Sequence, residues 1–205
     1  MKRIKTLSAA LAIIILSAFL GREAAGSQVI SGKITDLTKA NVVFTGKCVS
    51  AEPMVKKLGE KGQILVTKYT FEVEEVIKGS APSPFSFVHL GGSRAAAMKL
   101  KLPYVAGMPV FEAGKKYTVF LSSETSLGLR GVISLGCGKF NFVEGADGKV
   151  QVVNDYGNKS LFTGLPSTAK VGKALSVGGV AAGAQGGPMD YKNFVNMVKE
   201  LEGRE

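Results

Sequence analysis

Alternating apolar and polar positions predict a series of short β-strands through the first two thirds of the chain. The first run covers residues 40–49 and includes Cys48. The second run covers residues 64–77, and its alternation slips by one place near Glu74-Glu75, which predicts a β-bulge there. Residues 53–62, between the two runs, are polar and basic, and we predict that they form a connecting loop.

Further strands are predicted at residues 85–90, 116–121, 131–143 and 149–153. Pro82 and Pro84 lie between the second and third of the six predicted strands. A long segment without a strand pattern follows the third strand, and residues 94–102 within it are a candidate helical turn. The pattern predicts a mainly β fold: a small antiparallel OB-like barrel of about five to six strands with a C-terminal helix. A β-sandwich is the alternative.

The C-terminal part changes character. Residues 165–189 are rich in glycine and alanine and contain no aromatic residue, so we predict a linker between a β-domain at 27–164 and a helix within 190–205. Asp190 is suited to cap that helix. Its apolar stripe consists of Tyr191, Phe194, Val195, Val198 and Leu201. The stripe either docks on the β-domain or binds a partner from a tether, and the sequence leaves both open.

Residues 1–26 have the order of a secretory signal peptide: a basic start, an apolar run and then small residues. The apolar run from Leu7 to Leu20 is shorter than the roughly 20 residues that a membrane-spanning helix needs. We therefore predict cleavage after Gly26 and export to the periplasm or the medium, with no transmembrane span remaining. An uncleaved N-terminal anchor is the alternative.

The whole chain carries a net charge of +10, but part of that charge lies in the signal segment. The predicted mature chain has 22 basic and 15 acidic residues, a net charge of +7. Such a balance suits an anionic partner or ordinary solubility. The basic residues are spread along the sequence, with only short clusters such as Lys56-Lys57 and Lys115-Lys116.

Two cysteines, Cys48 and Cys137, lie on predicted apolar strand faces. In an exported protein they could form one disulfide, which is our prediction, and two buried free thiols are the alternative.

Residues that could carry out catalysis are few. His89 is the only histidine, and its position on a predicted strand face favours a hydrogen-bonded structural role over a catalytic base. One histidine and two distant cysteines do not make a zinc signature. Glu72 and Glu74 alternate on one strand face and are interpreted as solvated. We predict no catalytic residue, metal site or cofactor, and an unrecognised hydrolase is the alternative.

A glycine-rich turn offers a candidate contact for an anion or a partner. It consists of Gly91, Gly92, Ser93 and Arg94, whose backbone N–H groups and guanidinium could meet a negative group. A plain turn is the alternative interpretation.

The order of fragments from residue 40 to residue 153 resembles uncharacterised exported bacterial proteins related to the netrin-like module. That module is the OB-type barrel also found in tissue inhibitors of metalloproteinases. The fragments are Val42–Lys47, Tyr69–Val73, Val76–Gly79, Gly91-Gly92, Phe111–Tyr117, Val119–Leu121 and Gly136–Phe140. The animal inhibitors begin with Cys-x-Cys, which chelates the protease zinc. No cysteine precedes Cys48 here, so the resemblance implies a fold and a binding role without that mechanism.

Together these features predict an exported, non-catalytic binding module. Its partner is predicted to be a protein, for example a secreted protease, and nucleic acid is not expected. The alternative is a basic envelope or surface protein that binds an anionic polymer or lipid.

Overall fold

The computed structural model describes residues 32–60, 62–146, 148–163 and 186–203. The predicted signal peptide and residues 165–185 of the predicted linker lie outside the described residues, as does residue 164. The helices are α1 (Ile34–Leu37), α2 (Arg94–Leu100), a 3-10 helix (Leu135–Gly138) and α3 (Tyr191–Glu202). The strands are β1 (Val42–Leu58), β2 (Gly62–Lys78), β3 (Phe85–Leu90), β4 (Lys116–Leu121), β5 (Lys139–Glu144), β6 (Val150–Asn154) and β7 (Met189–Asp190).

The strands form one antiparallel sheet in the order β3-β2-β1-β4-β5-β6-β7. The predicted mainly β fold with a C-terminal helix is therefore confirmed, with seven strands instead of five or six. The sheet is not closed into a barrel, and it is not divided into the two sheets of a sandwich. A loop lies between β3 and β4 instead: the Arg130 N–H donates to the Val88 carbonyl (2.8 Å), and the Ile133 N–H donates to the Phe120 carbonyl (2.9 Å).

The register of β1 and β2 contains the predicted bulge. Thr45 lies opposite Glu75 and Gly46 lies opposite Val73, so Glu74 is the extra residue. A bulge bends the strand that carries it and increases its twist. The predicted bulge near Glu74-Glu75 is thus confirmed.

The predicted loop at residues 53–62 is wrong, because most of it belongs to a long hairpin. β1 continues to Leu58, and Pro53 pairs with Thr67 of β2. Only Val42–Lys47 of β1 pair with β4, so within the described ranges the outer half of β1 has no strand on its second side. Proline lacks an N–H group and is tolerated in such an edge strand, where its nitrogen faces away from the neighbouring strand.

Each face of the sheet covers its own apolar core. Val43 and Phe120 belong to the core beneath helices α1 and α3, while their neighbours Val42, Phe44 and Val119 belong to an aromatic core on the opposite face. This division follows from the two-residue period of a strand.

Helix α3 is docked on the first of these cores. The Asp190 carboxylate accepts a hydrogen bond from the Asn193 N–H (2.9 Å), which confirms the predicted cap. The apolar stripe packs inward at Phe194, Val195, Val198 and Leu201. The Tyr191 hydroxyl donates to Glu75 Oε2 (2.7 Å) and thereby joins the helix to β2. Docking, the first of the two alternatives, occupies the stripe that a tethered helix would offer to a partner.

The predicted disulfide is not formed. Cys48 and Cys137 are both free and buried, but Cys48 belongs to the aromatic core and Cys137 to the core beneath the helices. The predicted strand at 131–143 is also partly wrong, since Cys137 lies in the 3-10 helix that precedes β5. The sheet separates the two thiols, so apolar burial of each did not imply proximity.

Candidate functional site

Two segments account for most of the net positive charge of the predicted mature chain. Residues 49–68 and 93–110 together contain seven basic and two acidic residues, a net charge of +5. The remainder of the mature chain has 15 basic and 13 acidic residues, a net charge of +2. We call the surface formed by these two segments the basic face.

The fold brings the two segments together. Strand β1 contacts helix α2. One shallow cavity of about 270 Å³ is lined by Ala51 and Pro53 of β1 together with Ser93 and Val110 from the segment between β3 and β4. Lysines that looked dispersed in the sequence therefore lie on neighbouring elements. The one sequence signal for this surface was that residues 93–110 carry three cations and no acidic residue.

The cations of the basic face have no carboxylate partner within the described residues. These cations are Lys56, Lys57, Lys68, Arg94, Lys99 and Lys101. The described ion pairs all use cations from elsewhere, namely Lys39–Asp36, Lys78–Glu202, Lys115–Glu112, Lys116–Glu74, Arg130–Glu124, Lys139–Asp155 and Lys199–Glu75. The described cations of the basic face thus form no ion pair, whereas seven cations elsewhere in the described structure do.

The glycine-rich turn contributes to this face through its side chains rather than its backbone. The Gly91 N–H donates to the Leu65 carbonyl (2.8 Å), and the Ser93 hydroxyl accepts from the Ala96 N–H (3.1 Å) as the cap of α2. These groups are therefore occupied within the protein. Arg94 is exposed, and its guanidinium carbon lies 5.4 Å from the centre of the Tyr104 ring. Of the predicted contact residues, Arg94 is the one whose charged group faces solvent.

A second cavity on the basic face is lined by both cationic and apolar side chains. Its volume is about 370 Å³, and it is lined by Arg94, Ala97, Met98, Lys101, Leu102 and Tyr104. Helix α2 ends at Lys101, which adopts the left-handed conformation (φ 54°), and the chain then turns toward Tyr104. This turn places the cations of α2 beside the aromatic ring that follows it.

A larger cleft of about 500 Å³ lies at the start of α3. It is lined by Lys116, Phe142, Lys149, Val150, Asp190, Tyr191 and Lys192. Here Lys116 is paired with Glu74, and Asp190 caps the helix, so carboxylates accompany the cations. The cleft is larger than the cavities of the basic face, but its charge is more balanced.

The single histidine and both cysteines are buried. His89 is only 3% exposed, and its Nδ1 lies 2.9 Å from the Arg130 carbonyl. Burial raises the pKa of the Cys48 thiol to about 11 and also raises the pKa of Cys137, so both stay protonated near neutral pH. Within the described residues, no three His, Cys, Asp or Glu side chains come together as a metal site.

His89 should make the stability of the protein depend on pH. A carbonyl only accepts, so the neutral ring carries its proton on Nδ1, and Nε2 is buried without a hydrogen-bond partner among the described residues. Burial therefore lowers the pKa of His89 below its ordinary value. The unfolded chain then binds a proton more readily than the folded chain, so stability is fully present above about pH 6.5 and falls as the pH drops below it.

Denaturant unfolding between pH 7 and pH 5 tests this expectation. The free energy of unfolding should decline with a slope that approaches about 1.4 kcal/mol per pH unit, the value for one proton. His89→Gln keeps a donor for the Arg130 carbonyl but cannot titrate, so its profile should be nearly flat over this range. An equal slope in the glutamine variant would show that another group is responsible.

Among the described helices, none has the length and apolar character required to cross a bilayer. A scan against protein-family models finds no match for this chain, and a search of curated proteins finds none either.

Proposed function

We propose that this protein is an exported, non-catalytic binding module that attaches to an anionic surface through its basic face. The observation that carries the proposal is the set of six exposed or half-buried cations without carboxylate partners in the described structure. Uncompensated cations concentrate anions near a surface and release counterions when a polyanion binds. Ordinary solubilising charge would not need to be segregated in this way.

The sequence first favoured a protein partner, and two features now favour an anionic polymer or lipid. The helix stripe suggested for a protein partner is occupied, because Phe194 and Val198 are fully buried. The basic face is open and shallow, which suits an extended charged surface. The signal-like residues 1–26 support exposure to envelope polymers and lipids, and the netrin-like resemblance supports a binding role.

Charge reversal on the basic face tests the proposal. The mature chain would be applied to immobilised dextran sulfate over a series of salt concentrations, alongside Lys56→Glu/Lys57→Glu/Lys99→Glu/Lys101→Glu. Wild-type binding should fall steeply with salt. The variant should bind about a hundredfold more weakly or worse at low salt, since each cation near an anionic surface contributes on the order of 1 kcal/mol.

A matched control carries the same change of net charge elsewhere: Lys33→Glu/Lys47→Glu/Lys159→Glu/Lys192→Glu. These four lysines are exposed and lie outside the basic face. The control should retain most of the wild-type affinity. Equal losses in both variants would mean that only net charge matters, and absence of wild-type binding to polyanion and anionic vesicles at low salt would refute the proposed function.

A further inference from the structure

We infer that the anionic surface is the interface of a phospholipid membrane, into which apolar side chains of the basic face insert. This inference rests on the proposed function and names the chemistry of the surface. It is carried by a second property of the same two segments, namely their exposed apolar side chains.

Large hydrophobic side chains are concentrated on the basic face. Six of the nine that are exposed in the described residues belong to it, namely Val49, Met54, Val55, Met98, Tyr104 and Val105. Met98 is 74% exposed, the highest value among them. The other three, Val76, Leu127 and Val150, lie on separate elements of the fold. A local concentration of exposed apolar side chains indicates a surface that meets another apolar phase.

Cations and apolar groups are neighbours within this surface. Arg94 and Lys101 line the same cavity as Met98 and Tyr104. A bilayer interface presents the same two layers, with anionic phosphates above and acyl chains below. Lysine and arginine side chains remain at the headgroups while methionine, valine and tyrosine reach below them. A soluble polysaccharide would satisfy the cations and leave the apolar side chains in water.

Both segments can meet one bilayer because they adjoin each other. One cavity is lined by Ala51 and Pro53 of β1 and by Ser93 and Val110 of the segment between β3 and β4. The outer half of β1 supplies Val55, which shares the side-chain parity of Ala51 and Pro53 and is exposed on the same face of the strand, whereas Met54 is exposed on the opposite face. Proline and lysine in that strand disfavour addition of another strand, so a sheet-forming protein partner suits this edge poorly.

Vesicle sedimentation with the mature chain tests the inference. Vesicles of phosphatidylcholine alone would be compared with vesicles that also contain phosphatidylglycerol. Wild-type protein should sediment with the anionic vesicles only. Met98→Ser/Tyr104→Ser/Val105→Ser keeps every charge and should partition about tenfold more weakly. The matched control, Val76→Ser/Leu127→Ser/Val150→Ser, should partition like wild type. Thermal melting would verify that both variants are folded.

The same variants would be applied to dextran sulfate to separate the two proposals. The serine variant of the basic face should bind this polymer like wild type. If it also binds anionic vesicles like wild type, or if wild type binds the polymer and not the vesicles, the membrane inference is overturned and the proposed function stands. If wild type binds neither, or binds neutral vesicles equally well, the proposed function is overturned too.

Discussion

Replacing Phe194 with alanine is expected to lower the free energy of unfolding by about 3–5 kcal/mol. The side chain is fully buried between the sheet and helix α3. Its ring centre lies 4.4 Å from that of Phe140 and 6.1 Å from that of Phe120. Truncation would remove these contacts and leave a cavity that a rigid sheet cannot readily fill.

Denaturant unfolding of the mature chain measures this effect, with Tyr104→Ala as the control. Tyr104 is an exposed aromatic residue, so its truncation should change stability by less than about 1 kcal/mol. If α3 were tethered by the linker without packing on the sheet, both substitutions would lower the free energy of unfolding by the same small amount. Equal stability of Phe194→Ala and Tyr104→Ala would therefore contradict the docked position of α3.

Replacing Gly79 with alanine is expected to destabilise the protein by about 3 kcal/mol or more, from backbone strain and steric overlap together. Gly79 follows β2 with φ +70°, and a Cβ atom there would lie 2.3 Å from the Asn41 carbonyl oxygen. Asn41 cannot easily move away. Its N–H donates to the Leu121 carbonyl (2.8 Å), and its side-chain oxygen accepts from the Ser123 N–H (2.8 Å).

Gly114→Ala is the matched control for this substitution. Gly114 also has a positive φ, +88°, but no atom lies within 4 Å of the position of its Cβ. Its replacement by alanine should lower the free energy of unfolding only by the strain of the positive φ, about 1–2 kcal/mol. The difference between the stability losses of the two variants measures the steric cost of the close contact with Asn41. If both lost the same stability in thermal or denaturant unfolding, that approach would not constrain the fold.

Local patterns predicted several elements well because the decisive interactions are short in range. The slipped alternation predicted a bulge near Glu74-Glu75, since one extra residue inverts the side-chain parity of a strand. The boundary of α3 followed from Asp190, whose carboxylate satisfies a backbone N–H three residues later. In both cases the cause and the effect lie within a few residues of each other.

The outer half of β1 was missed for a physical reason that operates at longer range. Pro53 and the lysines around it resemble a loop when only their neighbours in sequence are considered. They are tolerated in a strand because β4 begins only at Lys116, opposite Lys47, and leaves that side of β1 without a partner strand among the described residues. Only the arrangement of the sheet reveals such an edge.

The β pattern, the final helix and the excess of positive charge follow from the order of residues along the chain, as does the small number of histidines and cysteines. Tertiary structure decided that the stripe of α3 is occupied and that Cys48 and Cys137 lie in different cores. It also decided which cations are neutralised, because ion pairing depends on distance through space and not on spacing along the chain. That is how lysines spread over the sequence become one uncompensated basic face.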